Sequence, residues 1–391
     1  MYWEKKGQTR LPIKSWCKNI ENSAMKQTLN LANHSEMFMH IAIMPDCHTG
    51  YGMPIGGVIA CENSIIPNAV GVDIGCGMGA VETDIPSSRL SGKESIREIL
   101  NAVKEQVPVG EGKSHDRNQL WPGFERYLSE TKKKPGWLTE RVWKLAELNL
   151  GTLGGGNHFI EIQSDEESNI WLMLHSGSRN LGYKIAEFYN NIARGNEKDG
   201  LAFLSVESEE GKEYIRDMNF ALEYALENRR KMMSVFKDII SRKFSSVNYK
   251  QEINIHHNYA SREKHFGKDV WIHRKGATSA KKDEMGIIPG SMGTPSYIVK
   301  GLGNTDSFMS CSHGAGRVMS RTRASKELTL EKCNQAMGNV VYDRWHRKKK
   351  SNLYDFGESP LAYKDIETVI KSELDLITPV VKLRPLGVIK G

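Results

Sequence analysis

The 391-residue chain has no long hydrophobic run, since about 18 consecutive apolar residues occur nowhere, and a membrane-spanning helix is excluded. Its start, MYWEKKGQTR, lacks the apolar stretch of an export signal, so the expected location is the cytoplasm, with no membrane partner. Cysteine is scarce: Cys17, Cys47, Cys61, Cys76, Cys311 and Cys333 show no paired spacing. That excludes a disulfide scaffold and a CxxC…CxxC zinc framework, and leaves each thiol as a ligand or a core residue. No repeat period is present, which argues against solenoids and propellers. Neither charge sign dominates; 54 Lys+Arg against 47 Asp+Glu leave +7, which permits a polyanionic partner without demanding one. Glycine is what the chain has in excess, at 36 residues, or about 9% against a norm of roughly 7%. Without a G-X-Y period or a low-complexity run, that excess must be local.

With 39% apolar residues the chain can bury a core of its own. Apolar spacing predicts a helix carrying Ile96, Ile99, Leu100, Val103 and Val107 and stopped by Pro108. A second helix is expected over 137–148. A long amphipathic one is expected over 209–244, with Ile215, Met218, Leu222, Leu226, Met233, Phe236 and Ile240 on its stripe. Short runs rich in Ile and Val predict strands at 41–44, 58–60, 158–163, 170–174, 252–256, 270–273, 296–299 and 380–383. Strands and helices mix without strict βαβ alternation, and no Pro/Ser-rich linker divides them. The expected fold is therefore α+β, a single large domain over 1–391 with its site in a central cleft. The basic stretch RWHRKKK at 344–350 reads as a solvated loop face.

The glycines gather in six places: 44–57 (MPDCHTGYGMPIGG), 71–79 (GVDIGCGMG), 151–161 (GTLGGGNHFIE), 174–182 (LHSGSRNLG), 286–293 (GIIPGSMG) and 312–317 (SHGAGR). Each lies at a strand end or ahead of a helix, where glycine lets backbone approach a ligand and form an anion-binding nest. Asp73 and Cys76 stand three apart in one such turn, His158 follows a triple glycine, His175 ends an apolar run, and His257 follows another with His256 beside it. A lone histidine at a strand end is more often a hydrogen-bonded structural residue. Together, one carboxylate, one thiolate and three imidazoles could hold one or two divalent ions such as Zn, Co, Fe or Mn, with positions open for substrate oxygens.

Around SHGAGR the pattern predicts a strand, a turn through Gly314, Ala315 and Gly316, and a helix bearing Arg317, Arg321 and Arg323. Donors at that helix start and the arginine forks would suit phosphate. His313 presented there could serve as acid, base or nucleophile toward phosphorus, or simply cap the turn. Ser178 with Arg179, Arg274 with Lys275, and Ser291 in PGSM are further phosphate-compatible pieces.

The set DxHxGYGxPIGG (46–57), GVDIGCGM (71–78), GGGNHFxE (154–161), LHSGSR (174–179), HHNY (256–259), RKGA (274–277), PGSMG (289–293), SHGAGRxxSR (312–321), AYKDI (362–366) and terminal VIKG (388–391) resembles the RtcB family of GTP-dependent RNA ligases, in order, from about residue 40 to the end. The resemblance implies two Mn(II) ions held by Asp73, Cys76, His158, His175 and His257, with the sulfur shared. It implies Asn157 at the triphosphate of GTP, Glu161 and Lys390 at guanine, Tyr363 in the nucleotide pocket, phosphate sites at Arg179 and Arg321, and His313 as the nucleophile that takes GMP. The implied partner is RNA with a 3′-phosphate or 2′,3′-cyclic phosphate end and a 5′-hydroxyl end, for tRNA splicing or RNA repair. An accessory activator protein is not readable from the residues.

Two other readings compete. A dinuclear-metal phosphodiesterase or nucleotide hydrolase would use the same ligands with water as nucleophile; a non-catalytic RNA-binding paralogue would show a broken ligand set, which this chain does not. The segment 110–135 carries no motif. A shared metal cage requires the His158, His175 and His257 ring nitrogens to fall within roughly 5 Å of the Cys76 sulfur, given metal–ligand bonds of about 2.0 to 2.3 Å.

Overall fold

A computed structural model describes residues 1–194, 200–348 and 351–391, so Lys349 and Lys350 of the basic stretch lie outside the described residues. Two large sheets organise them. The first has six strands in the order Trp3–Lys5, Ile13–Ser15, Ile41–His48, Ile55–Cys61, Lys268–Lys275, Asn258–His265. The second has seven, all paired antiparallel: Tyr249–His256, Gly77–Pro86, Asn169–Ser176, Phe159–Ser164, Ile377–Lys390, Ser296–Gly301, Met285–Ile288. Each predicted strand falls within one of these strands or overlaps its edge by a residue, and the mixed α+β class is what the structure has.

Period-2 alternation divides the seven-stranded sheet into two dry faces. Val81, Ile160, Ile162, Leu172 and Leu174 pack outward against the helices Gly92–Gln106 and Glu209–Lys243. Met78, Ala80, Phe159, Trp171 and Met173 turn the other way and meet Ile253, Ile287, Ile298, Leu383 and Val388. The sheet therefore curls around a core of its own, and its edge strands Tyr249–His256 and Met285–Ile288 touch. His175 continues the inward row of Trp171 and Met173, which brings it to one end of the curl.

The long helix departs from its expected stripe: Ile215, Leu222 and Leu226 are only partly buried, whereas Asp217, Asn228 and Arg229 are buried. Each buried polar group ties down another segment, as burial requires. Asp217 accepts from Tyr127 Oη (2.9 Å), Trp137 Nε1 (2.6 Å) and Tyr189 Oη (2.7 Å). Asn228 accepts from the Gly151 and Thr152 amides, and Arg229 donates to the Gly75 and Ser176 carbonyls at 2.8 and 2.9 Å. The motif-free segment contributes the helix Pro122–Glu130, whose Tyr127 stacks with Trp143 and Phe220 while Phe124 meets both edge-on. Its role is packing. Among the described residues no helix is long and apolar enough to cross a membrane, and the six cysteines are free and buried.

Candidate active site

Strand register assembles the ligands. Met78 pairs with His175, His175 with Phe159, and Gly77 with His256, so Cys76, His158, His175 and His257 arrive together at one end of the curled sheet. The His257 amide donates to the Cys76 carbonyl at 2.8 Å and closes that corner. Gly77 makes the closure feasible, because a Cβ there would stand 1.9 Å from the Ile255 carbonyl oxygen.

Cys76 Sγ lies 3.4 Å from His158 Nε2 and 3.2 Å from His175 Nε2; His175 Nε2 is 3.3 Å from His257 Nε2, and His158 Nε2 is 3.3 Å from Asp73 Oδ2. Two triads result, Cys76–His175–His257 and Asp73–Cys76–His158, each with its donor atoms within 4.8 Å of one another and with the sulfur common to both. Ligands on one ion with bonds of about 2.0 to 2.3 Å at tetrahedral angles stand roughly 3.3 to 3.8 Å apart, so the donor set fits divalent metal. His158 Nδ1 faces the Leu153 carbonyl (2.9 Å) and His175 Nδ1 the Asn157 carbonyl (3.2 Å), which puts the proton on Nδ1 and the lone pair on Nε2, toward the cluster. Burial, aided by His158 beside His175 and His313 beside His257, holds both of those imidazoles well below their ordinary pKa, in the neutral form a metal needs. Burial and the neighbouring Asp73 push the Cys76 thiol well up, so a cation must compensate its thiolate. His256 turns away; its Nδ1 meets the Gly75 carbonyl at 2.9 Å.

The cluster opens into a cavity of about 400 Å³, a size suited to a small ligand. His313 projects into it from the turn after the strand Ser310–Ser312, its ring 4.8 Å from that of His257. Its Nδ1 lies 2.6 Å from Asp46 Oδ2, and its amide donates to the same oxygen at 3.1 Å, leaving Nε2 for a ligand. Asp46 is fully buried on the strand Ile41–His48, with Oδ1 unpartnered. It was legible only as the first letter of a motif, with no role attached.

A cationic wall faces His313. Glu358, which no sequence pattern singled out, gathers Arg317 (3.3 Å), Arg321 (2.9 Å), Lys390 (3.3 Å) and the Tyr363 hydroxyl (2.5 Å). Burial would raise the Glu358 carboxyl, but Lys390 and Arg321 outweigh it and hold the group below its usual value. Three cations around one carboxylate leave a net positive wall, suited to an anion. Asn157, Ser291, Gly314, Ala315, Gly316 and Lys275 also line the cavity.

Several expectations need correction. The helix after SHGAGR begins only at Arg321, so Arg317 belongs to a loop, and the Gly314–Gly316 turn is no helix start. Arg323 pairs with Glu327 on the exposed side. Arg274 lies off the cavity wall: it is fully buried, paired with Glu263 and bonded to Ser310 Oγ and the Phe308 carbonyl. Lys275 reaches the cavity wall, yet Nζ donates to the Tyr51 and Asn68 carbonyls, and burial lowers its pKa to about 7. Arg179 stands behind the metal cluster, with Nη1 3.2 Å from His158 Nδ1, not on the cavity wall. Glu161 lies deeper than Phe159 on the same strand face, bonded to Gln163 and raised to about 8 by burial, and does not line the cavity.

A family model described as "tRNA-splicing ligase RtcB" matches residues 27–391. The chain belongs to the RtcB family. RNA-splicing ligase RtcB of Escherichia coli K12 is 39% identical over 406 residues, with 97% of each chain covered. The tRNA-splicing ligases RtcB of Pyrobaculum aerophilum and Nanoarchaeum equitans are each 30% identical, over 98% and 100% of this chain and 95% and 98% of their own. The metal cluster and the His313 cavity thus belong to an RtcB chain matched along nearly its whole length.

Proposed function

We propose that this RtcB chain is a cytoplasmic single-domain enzyme over 1–391, a GTP-dependent ligase joining RNA 3′-phosphate or 2′,3′-cyclic phosphate ends to 5′-hydroxyl ends. The observation that carries the reading is the His313–Asp46 pair set in one cavity with the Cys76-centred cluster. Asp46 keeps the His313 proton on Nδ1, so the Nε2 lone pair attacks the α-phosphorus of GTP; an N–P bond forms, the bond to pyrophosphate breaks, and GMP is held on histidine. Arg317 and Arg321, fixed by Glu358, stabilise the charge that develops on phosphate oxygens. Two Mn(II) ions on Asp73, Cys76, His158, His175 and His257 would supply Lewis-acid polarisation of those oxygens. Asn157, Ser291, the Gly314–Gly316 turn and Tyr363 surround the nucleotide, with Lys390 toward guanine. GMP then passes to the RNA 3′-phosphate, and the 5′-hydroxyl displaces it to seal the strand in tRNA splicing or RNA repair.

The test is incubation with α-labelled GTP and Mn(II), followed by denaturing electrophoresis. Label should join the chain in an acid-labile bond and be absent from His313→Ala. An undiminished adduct in that variant removes His313 as nucleophile. Cleaved RNA or free GDP without joined strands replaces the ligase by a hydrolase.

A further inference from the structure

The cavity presents a second imidazole outside the metal cluster. His48 ends the strand Ile41–His48, is only partly buried, and lines the cavity with His313. Its Nδ1 lies 3.1 Å from the carbonyl oxygen of Asp46, the residue whose carboxylate holds His313. A carbonyl can only accept, so Nδ1 carries the proton and Nε2 keeps a lone pair. Among the described residues Nε2 has no hydrogen-bond partner. Asp46 therefore orients two imidazoles, one through its side chain and one through its backbone. His313 is near enough for its charge to bear on His48, and burial, the larger cause, lowers the His48 pKa to about 4 and keeps the ring neutral.

A neutral acceptor does not suit phosphate oxygens, which need donors, and the wall already offers these in Arg317 and Arg321. Nor is His48 part of either converging metal triad. The substrate group it complements is a hydroxyl brought close to phosphorus. We infer that His48 Nε2 accepts the hydrogen of the attacking 5′-hydroxyl in the sealing step. The inference rests on the ligase reading. In that step the O5′–P bond forms to the RNA 3′-phosphorus and the bond from that phosphorus to the bridging oxygen of GMP breaks. The proton passes from O5′ to His48 Nε2, and GMP leaves with the electron pair.

The experiment separates the steps. Wild type and His48→Ala are given a strand already carrying 3′-ppG, together with a 5′-hydroxyl strand and Mn(II), and single-turnover sealing is followed on gels. GMP attachment to His313 is timed in parallel. Sealing in the variant should fall by about 10² to 10⁴, the usual contribution of a positioned base, and by at least thirtyfold more than GMP attachment does. Added imidazole should restore part of the lost rate, which no merely structural loss would allow. Sealing within threefold of wild type, equal losses in both reactions, or a loss that imidazole leaves unchanged would each overturn the assignment. The pre-activated strand bypasses His313, so failure of that residue as nucleophile leaves the His48 result readable; a wild-type chain that cannot seal it fails as a ligase altogether.

Discussion

Four of the arginines expected at phosphate, by residue type or by family resemblance, meet different fates, and the difference is their partner. Arg317 and Arg321 share Glu358 with Lys390, so their positive charge exceeds what one carboxylate cancels. Arg179 is drawn in behind His158. Arg274, at zero exposure, is paired with Glu263, which also meets His265 and Lys281, and the remaining Arg274 donors are spent on Ser310 and Phe308. Removing one member of such a buried pair strands the other charge, so Arg274→Ala should cost about 3–5 kcal/mol, read as a lowered urea midpoint. Its effect on RNA binding should be only that of lost fold: the slope of log affinity against log salt stays at the wild-type value, whereas a phosphate-contacting arginine would shift it by about 1. A shifted slope at unchanged stability would contradict the burial. Cys76, His158, His175 and His313 were legible because glycine turns flank them, and His257 because it follows an apolar run. The fate of Arg274 was not, since its partner Glu263 lies on the neighbouring strand, and pairing across strands leaves no mark in a single sequence.

At the scale of elements, helix and strand positions followed from apolar spacing, but how they meet did not. Neither the seven-strand order nor the curl that turns Trp171, Met173 and His175 inward is written in any one segment. Nor is the buried use of Asp217, Asn228 and Arg229, because a polar residue on a long helix reads as solvated until its partners are known. The contact between Tyr249–His256 and Gly77–Pro86 matters most for the site, since Cys76 and His257 follow directly from its last pair. Gly77→Ala would drive a methyl into the Ile255 carbonyl and force those strands apart at that row. The triad Cys76–His175–His257 would then lose its spacing while both cores stay filled. Mn(II) affinity, measured by calorimetric titration, should fall about ten- to a hundredfold, the usual cost of disturbing the support of a metal ligand. An unchanged affinity would mean that the strand edge can yield without moving its ligands.

Across the whole molecule, neutral imidazoles are also built into structure outside the cavity lining. His273 is fully buried on the first sheet, where Nε2 accepts from the Ile66 amide at 3.0 Å and Nδ1 meets the Trp271 carbonyl at 3.1 Å. His40 stacks on Phe308 with ring centres 4.2 Å apart, and its Nε2 meets the Asp306 carbonyl at 2.7 Å. Burial lowers each to about 4 from an ordinary 6.5. The unfolded chain then binds a proton at each position near pH 6.5, and the folded chain only near pH 4. The stability these neutral rings carry is fully present above about pH 6.5 and is lost as pH falls through 4. A gap of about 2.5 units at 1.36 kcal/mol each amounts to roughly 3 kcal/mol per histidine, so the two together approach the whole margin of an ordinary fold. The share of the urea midpoint that these two rings carry should be constant above pH 7 and shrink steadily from pH 6.5 to 4.5. In His273→Gln, whose amide oxygen can still accept from Ile66, the share of that one ring should disappear, so the gap in midpoint between wild type and variant narrows from pH 6.5 to 4.5. A gap between wild type and variant that stays constant down to pH 4.5 would show that His273 takes up its proton in the folded protein without opening it.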